Sequence, residues 1–445
     1  MLMHAHDGQM YWDAVFVLCV MVATGVIISL IGNRFKQRIP LAFTLFVSVA
    51  VGAMAGGFGF PFRHLIEGPM FYIYINLVIF TALIMLQVMK ESGNMQDIAW
   101  DILVNFRQKP KILFALLTLM LFFPGMVTGV GAAAVLSTGV IVAVILQAVG
   151  VPKLETAAIL AIVTTLGAAA PPVNLPALII SSGINMPYEG FDLIILVLTV
   201  PPGIFATYYL GSRHFKVASV ETIESILEKP QRKLAILPYL PLLVIVTIFS
   251  LIRIFPGKMP DLIAPMVFMV GALVGLFTGK RVNIFMAASR CMQGRLFLVV
   301  AIFFVVGSVV QVMSLTGVKG LIVISTLAVA STAPIVMYLA IAVGLPLFGG
   351  FVTHLGAAAV LGIPLALALL TQNTIVVVSC ISIFCILSQI IPPSALGGYS
   401  SQEVAGYPDY QPVLKKCSVP VLVTGAYTLL VLYFADTFAR WFVYV

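Results

Sequence analysis

Residues 125–136 read GMVTGVGAAAVL, and residues 350–361 read GFVTHLGAAAVL. The two stretches share a glycine, a Val-Thr pair and a Gly-Ala-Ala-Ala-Val-Leu run, 225 positions apart. Downstream of each stretch lies a pair of adjacent prolines, at 171–172 and at 392–393, 221 positions apart. Two landmarks that recur at nearly the same spacing predict an internal repeat, and such a repeat decides the architecture of the chain.

The composition favours a membrane protein. Hydrophobic residues make up 61% of the 445 residues and charged residues 9%, whereas soluble domains carry about 25% charged residues. Because so little charge cannot cover that much apolar surface in water, we predict an all-α polytopic membrane protein that contacts the lipid bilayer. The net charge of +8 fits basic cytoplasmic loops, and we expect no nucleic-acid partner. The five cysteines are scattered, which favours neither a disulfide framework nor a metal site.

Two apolar runs are too long for one crossing of a membrane, and glycines interrupt each run near its middle. About 20 apolar residues span a bilayer as a helix, so we interpret each long run as a re-entrant helical hairpin. Each half then has about five transmembrane helices, one hairpin and one helix broken by the proline pair. The predicted segments are an N-terminal repeat (1–212, with hairpin 110–150 and broken helix 154–185), a cytoplasmic linker (213–233) and a C-terminal repeat (234–445, with hairpin 332–370 and broken helix 372–396).

An odd number of crossings in each half inverts the second half relative to the first. Lysine and arginine concentrate in cytoplasmic loops, and with the N-terminus outside 19 of the 24 Lys and Arg residues are cytoplasmic. The five that fall outside in this orientation are Arg63, Arg253, Lys258, Lys319 and Arg440. We therefore predict a multi-pass protein of the bacterial inner membrane with both termini outside. Residues 91–108 alternate charged and apolar side chains, which predicts an amphipathic helix at the cytoplasmic interface.

The hairpin tips are the first candidate sites. Glycines there free carbonyl oxygens from helical hydrogen bonds, and Thr128 and Thr353 add hydroxyl oxygens. Uncharged oxygens of this kind suit Na⁺. The alternative is that small residues only permit close helix packing, and we favour that interpretation for the alanine runs. His354 replaces Gly129 at the second tip; it is either a packed, hydrogen-bonded residue or a group that binds a carboxylate or titrates.

The proline breaks are the second pair of candidate sites. Proline removes a backbone donor and clashes with the preceding turn, so GAAAPPVNLP (167–176) and LSQIIPPSALGG (387–398) predict unwound backbone within the membrane. Such segments bind ions and anionic substrate groups in transporters. The alternative is a kink without a ligand or, for the second break, the exit from the membrane. The polar side chains next to the breaks are Asn174, Ser388, Gln389 and Ser394.

The acidic residues and the missing motifs narrow the function. All 16 Asp and Glu residues fall in loops or at the ends of apolar runs, so no carboxylate relay for protons is evident within the membrane and sodium coupling is favoured. The sequence lacks the patterns of metalloproteases, serine hydrolases, P-loop NTPases and dinucleotide-binding folds. We therefore expect a transporter and not an enzyme, with no cofactor besides the coupling ion.

At these segments the sequence resembles the large membrane subunit (DctM-like) of tripartite (TRAP) transporters, in the ion transporter superfamily. The resembling stretches are GMVTGVGAAAVLSTG with GAAAPPVNLPALIISSGIN, and GGFVTHLGAAAVLGIP with LSQIIPPSALGGYSSQ. The resemblance implies an elevator-type carrier that imports organic anions, often dicarboxylates or sugar acids. It also implies two further partners, a small membrane subunit and a periplasmic substrate-binding protein.

The resemblance further implies that sodium binds between each hairpin tip and a helix break. The candidate Na⁺ residues are Thr128, Gly129, Gly131, Gly167, Pro171, Asn174, Thr353, Gly356, Ser388, Gln389 and Pro392. The candidate residues for the anion, which we place between the two tips, are Thr128, Asn174, Thr353, His354 and Ser394. We predict a sodium-driven importer of a small organic anion. The alternatives are a stand-alone cation or proton antiporter or an anion carrier of the same superfamily, or a channel or scaffold subunit that does not transport.

Overall fold

The computed structural model describes residues 2–34, 39–230, 234–255, 258, 260, 262–332 and 334–443. Within these ranges the chain is 81% helical and contains no strand, which confirms the predicted all-α class. Some positions of the predicted segments lie outside the described residues: 1 and 35–38 of the N-terminal repeat, 231–233 of the linker, and 256–257, 259, 261, 333 and 444–445 of the C-terminal repeat.

The helices of the first half follow one another with short connections. A π-helical turn, Val135–Gly139, joins the seventh helix to the eighth. The helices are α1 (Leu2–Arg34), α2 (Leu41–Ala55), α3 (Phe62–Phe71), α4 (Ile73–Glu91), α5 (Asn94–Phe106), α6 (Pro110–Thr128), α7 (Gly131–Ala134), α8 (Val140–Ala148), α9 (Lys153–Ala169), α10 (Leu175–Gly183), α11 (Asp192–Gly211) and α12 (Val220–Ile226).

The second half also consists of helices joined by short connections. Two π-helical turns, Ala340–Gly344 and Ala358–Gly362, interrupt them. A 3₁₀ turn, Ser388–Ile390, extends one of the central helices. The helices are α13 (Leu240–Ile254), α14 (Ala264–Gly275), α15 (Ile284–Cys291), α16 (Gly294–Leu315), α17 (Val318–Thr332), α18 (Pro334–Leu339), α19 (Leu345–Ala357), α20 (Ile363–Ala368), α21 (Thr374–Leu387), α22 (Leu396–Val404), α23 (Tyr410–Tyr433) and α24 (Ala435–Phe442).

Many of these helices are long and apolar enough to cross a membrane. Eight such helices occur among the described residues, and a ninth results if Val300–Leu315 and Val318–Ser325, which are bent by 80°, form one crossing. Large apolar side chains also face outward; Leu422, for example, is 70% exposed. A surface of that kind is stable against lipid and unstable in water. These features are consistent with a polytopic membrane protein, whereas the inverted repeats, the segment boundaries and the elevator mechanism stay predictions.

Helix α5 is amphipathic, as predicted for residues 91–108. Its buried residues include Ile98, Ala99, Ile102 and Leu103, which recur at the spacing of one helical face. This face packs against α6 and α8. The location of α5 at a membrane interface stays a prediction.

Two helices form the centre of the protein. Helix α9 is buried along its whole length from Glu155 to Ala169, and α21 is buried from Ile375 to Leu387. Both helices carry mostly apolar or small residues on all faces, which is typical of helices surrounded by other helices. They contact each other, and both end at the proline pairs. The first break therefore lies in the interior, where backbone groups must find partners within the protein. At the second break Pro392 and Pro393 are exposed, whereas Gln389 and Ser394 on either side of them are buried.

Candidate ion and anion site at the helix breaks

The first tip lies between α6 and α7. Gly129 adopts a left-handed conformation with φ 67°, and its N–H donates to the Gly125 carbonyl over 2.7 Å. Glycine adopts this conformation at no steric cost, so it ends α6 cleanly. Because α7 and α8 pack back against α6, the chain turns around at this point. The Thr128 hydroxyl is engaged within the tip, where it donates to the Pro124 carbonyl over 2.6 Å.

The second tip is a break inside α19. Thr353 has φ 72° and ψ 164°, a backbone conformation found almost only in glycine. A β-branched residue in this region is strained by about 1–3 kcal/mol. The Thr353 hydroxyl is buried and has no hydrogen-bond partner among the described residues. The combination of backbone strain and an unpaired hydroxyl marks this position as a candidate ligand-binding residue.

The first proline break separates α9 from α10. Asn174 caps α10, since its Oδ1 accepts a hydrogen bond from the Ala177 N–H over 2.9 Å. Its Nδ2 donates to the Ala169 carbonyl and to Ser382 Oγ, each over 2.8 Å. Both the oxygen and the nitrogen of the Asn174 amide thus stabilise the break, and the nitrogen also joins it to α21. In this conformation Asn174 has a structural role.

A tyrosine, Tyr188, also contacts this break. The Asn174 N–H donates to the Tyr188 hydroxyl oxygen over 3.2 Å, and the Tyr188 ring stacks on Phe191 with centroids 5.1 Å apart. Burial raises the pKa of Tyr188 above its ordinary value. The hydrogen bond to this hydroxyl helps to hold the unwound backbone in place.

The second proline break lies directly against the second tip. The Ser394 N–H donates to the Gly350 carbonyl over 2.8 Å, and Ser394 Oγ lies 3.4 Å from the Gly349 carbonyl. A methyl group in place of the hydrogen at Gly349 would lie 2.5 Å from Ser388 Oγ, and one at Gly350 would lie 3.0 Å from the Pro392 carbonyl. Only glycines permit this approach, so the tip and the break form one unit.

The two tips and the second break meet in the centre. The Gly131 N–H at the first tip donates to Gln389 Oε1 at the second break over 2.9 Å. The Gly129 carbonyl lies near the His354 ring of the second tip, without the geometry of a full hydrogen bond. The His354 ring also packs edge-on against Phe303, with centroids 5.7 Å apart. Residues of the two halves therefore share a single location.

Unpaired polar atoms concentrate at this location. In the described part of the chain, nine buried side-chain atoms have no hydrogen-bond partner, and six of them belong to this region. These six are Thr165 Oγ1, Thr353 Oγ1, Ser388 Oγ, Gln389 Nε2 and both ring nitrogens of His354. Each such atom costs about 1–3 kcal/mol if it stays unpaired. Native proteins contain few of them, so a cluster indicates a site for water, an ion or a ligand.

The chemistry of these atoms suits a small cation bound together with a small anion. Three are hydroxyl oxygens, which can coordinate a hard cation together with carbonyl oxygens at the breaks. The others, an amide NH₂ and an imidazole, can donate hydrogen bonds to an anion. No Asp, Glu, Lys or Arg occurs in residues 125–131, 164–174, 349–356 or 388–398. Within the described ranges no group of His, Cys, Asp and Glu side chains could hold a metal ion, so a cation here would depend on uncharged oxygens.

The candidate residues divide into two groups. Gln389, Ser388, Ser394, Thr353, His354, Gly129, Gly131 and Pro392 lie at the meeting point of tips and second break. Gly167 instead permits close packing, because a methyl group there would lie 2.7 Å from Phe122 Cα. Gly356 packs on the Val352 side chain. Pro171 and Asn174 shape the first break, and the Thr128 hydroxyl is engaged within its own tip.

One residue of the cluster was missed by the sequence analysis. Thr165 lies on α9, and its hydroxyl approaches Gly397, where a methyl group would lie 3.3 Å from Oγ1. The available signal was a Thr-Thr pair, 164–165, within a fully apolar run just before the first break. No model of a known protein family matches the chain, and no curated protein matches it.

Proposed function

We propose that the chain is a secondary transporter that couples Na⁺ entry to the import of a small organic anion such as a carboxylate, as the large membrane subunit of a TRAP-type system. The cluster of unpaired polar atoms where two helix tips meet the second proline break carries this proposal. The resemblance of the same segments to the TRAP membrane subunit supports it. The small membrane subunit and the periplasmic binding protein belong to the proposal as partners.

The uncharged site explains why the two solutes would bind together. A carboxylate alone in a buried, uncharged site loses its hydration without gaining a counter-charge, which is very unfavourable. A sodium ion held by neighbouring oxygens offsets that cost, so each solute raises the affinity for the other. This reciprocity is the thermodynamic form of coupling. A site with its own arginine would bind the anion without sodium and would lose that coupling.

The unpaired atoms suggest a division of roles. Ser388 Oγ, Thr353 Oγ1 and Thr165 Oγ1 are the side-chain oxygens for Na⁺, supplemented by carbonyl groups of the tips. Gln389 Nε2 and the His354 ring are the donors for the anion. Gln389 contacts the first tip through its other amide atom, so movement of either tip alters the anion site. An elevator movement would carry both tips and both breaks as one body.

The ion pairs fit the predicted order of membrane crossings. Four described pairs join helix ends or loops distant in sequence: Glu91 with Arg290 at 2.6 Å, Glu155 with Lys416 at 2.8 Å, Asp192 with Arg253 at 2.9 Å and Glu228 with Lys280 at 3.4 Å. Each pair joins residues that the positive-inside rule assigns to the same side. An incorrect topology would be expected to join residues assigned to opposite sides.

Thermal unfolding of the purified protein tests the proposal. A ligand present at 100 times its Kd stabilises the folded state by about 2.7 kcal/mol. We expect one or more organic acids to raise the melting temperature in NaCl and to have no effect in choline chloride at equal ionic strength. Stabilisation that follows pH alone, without sodium, would favour the antiporter alternative and contradict the proposal.

A matched pair of serines sharpens this test. Ser388→Ala removes a buried hydroxyl that has no partner among the described residues, whereas Ser401→Ala removes a buried hydroxyl that donates to the Gly397 carbonyl over 2.7 Å. We expect Ser388→Ala to weaken the sodium response and Ser401→Ala to leave it intact. Equal sodium responses in the two variants would remove Ser388 from the site.

A further inference from the structure

We propose that a basic pocket at one end of the helical bundle binds the phosphate of an anionic membrane lipid. The pocket has a volume of about 130 Å³ and is lined by Glu155, Tyr209, Leu210, Arg213, His214, Lys415, Lys416 and Val419. It is separate from the site at the helix breaks, so this inference does not depend on the proposed function.

Three helices create the pocket. Glu155 lies in the first turn of α9, Arg213 lies in the 3₁₀ turn Ser212–His214 that follows α11, and Lys415 lies in the second turn of α23. These helix ends are adjacent because α9 packs against both α11 and α23. All three belong to the side that the charge distribution predicts to be cytoplasmic. The pocket therefore lies where a helix leaves the apolar part of a membrane.

The charges of the pocket do not balance within the protein. Glu155 pairs with Lys416 at 2.8 Å, and its side chain is only 11% exposed. Arg213 and Lys415 have no carboxylate partner among the described residues, and Arg213 instead lies over the Tyr209 ring at 5.9 Å. That cation–π contact holds the guanidinium at the pocket and leaves its N–H groups available. The pocket thus presents two uncompensated cations to a ligand, which favours a phosphate group.

The surroundings of the pocket favour a lipid as the source of that phosphate. Exposed aromatic side chains lie along the same end of α11: Phe205, Tyr208 and Tyr209 are 37%, 42% and 37% exposed. Aromatic residues of this kind are enriched where membrane meets water. Further along α23, Leu422 is 70% and Val423 40% exposed. A lipid can therefore place its phosphate among the cations and its acyl chains on this apolar surface, as basic pockets between transmembrane helices do.

Lipid-dependent stabilisation of the full-length protein in detergent tests this proposal. The probes are phosphatidylglycerol, phosphatidylcholine with the same acyl chains, glycerol 1-phosphate and inorganic phosphate. We expect only phosphatidylglycerol to raise the melting temperature strongly, and less so at high salt. Equal effects of the two lipids would overturn the proposal. Equal effects of phosphatidylglycerol and either soluble phosphate would show a site for free phosphate and would overturn the lipid assignment.

Charge-neutralising variants locate the effect. Each basic side chain near an anionic lipid contributes about a fivefold gain in affinity, so Arg213→Gln with Lys415→Gln should raise the half-saturating lipid concentration about 30-fold. The matched control is Arg107→Gln with Lys111→Gln, which removes two cations from the same predicted side outside the pocket. Equal lipid responses of the two double variants would overturn the proposal.

A measurement on the unaltered chain covers the case in which a variant fails to fold. Amine-reactive labelling followed by mass spectrometry compares Lys415 with Lys111 in the presence and absence of phosphatidylglycerol. We expect the lipid to slow the labelling of Lys415 several-fold and to leave Lys111 unchanged. Equal labelling of Lys415 with and without lipid would overturn the proposal.

Discussion

The Gly131 N–H donates to Gln389 Oε1 over 2.9 Å and so joins residues that are 258 positions apart. Gly131 begins the helix after the first tip, and Gln389 lies in the 3₁₀ turn before the second proline pair. This hydrogen bond thus joins the two predicted halves of the chain. The second amide atom of Gln389, Nε2, has no partner among the described residues, so the same side chain holds the tip and has a free donor for the proposed ligand.

Replacement of this glutamine should affect both stability and binding. Gln389→Met keeps most of the side-chain volume but leaves the buried Gly131 N–H without an acceptor, which costs about 1–3 kcal/mol of unfolding free energy. It also removes the proposed donor to the anion. We expect a lower melting temperature and a loss of sodium-dependent stabilisation by the anion.

A second glutamine provides the control for this variant. Gln147 Nε2 donates to the Ala405 carbonyl over 3.1 Å, also across 258 positions, but away from the helix breaks. Gln147→Met should lower the melting temperature and leave the anion response intact. Equal loss of the anion response in both variants would contradict the role of Gln389.

The unusual backbone of Thr353 leads to a second prediction. Thr353→Gly removes strain of about 1–3 kcal/mol, which exceeds the cost of roughly 0.5–1 kcal/mol from the greater chain entropy of glycine. We expect a higher melting temperature together with a weaker sodium response, because the hydroxyl is lost. Thr428→Gly, in a regular part of α23, should lower the melting temperature by comparison. A Thr353→Gly protein that melts below the unaltered chain would contradict this prediction.

The crossing of α6 and α9 leads to a third prediction. A methyl group at Gly167 would lie 2.7 Å from Phe122 Cα and 3.0 Å from the Phe122 carbonyl. Because backbone atoms cannot move aside easily, Gly167→Ala should lower the unfolding free energy by about 1–3 kcal/mol. Gly320→Ala, on α17 with nothing within 4 Å, should be neutral or stabilising by up to about 1 kcal/mol. Chemical denaturation measures both, and equal effects would show that the crossing tolerates a side chain.

His354 provides a fourth prediction. His354→Leu removes two buried ring nitrogens that lack partners among the described residues, so we expect an unchanged or higher melting temperature. The same change should weaken anion binding about tenfold, which corresponds to one lost hydrogen bond of about 1.4 kcal/mol. Titration of the anion in saturating NaCl measures this effect. His64→Leu, on α3, is the control and should not change anion affinity; an unaltered affinity in His354→Leu would leave the ring with a packing role.

The sequence predicted the helix breaks well because glycine and proline act locally. Gly129 and the prolines at 171–172 and 392–393 interrupt helices through their own backbone chemistry, and the structure places breaks at all of them. The apolar runs predicted the helical class for the same reason. Such features need no knowledge of which segments pack together.

The partners of the polar side chains could not be predicted in this way. Asn174 stood out because it is polar and next to a break, but its amide is used by Ala169, Ala177 and Ser382. Thr165 was not predicted as a site residue because its hydroxyl lies close to Gly397, which is remote in sequence. Which oxygen stays unpaired is decided by the packing of distant helices, and a single sequence does not contain that packing explicitly.

The lack of formal charge at the helix breaks has an electrical consequence. Residues 125–131, 164–174, 349–356 and 388–398 include no Asp, Glu, Lys or Arg, so a moving site would transfer only the charge of its cargo across the membrane. Each elementary charge that crosses a potential of 100 mV is worth about 2.3 kcal/mol. The charge moved per anion imported would therefore equal the number of sodium ions minus the number of negative charges on the anion, and the empty site would return at a rate insensitive to the membrane potential.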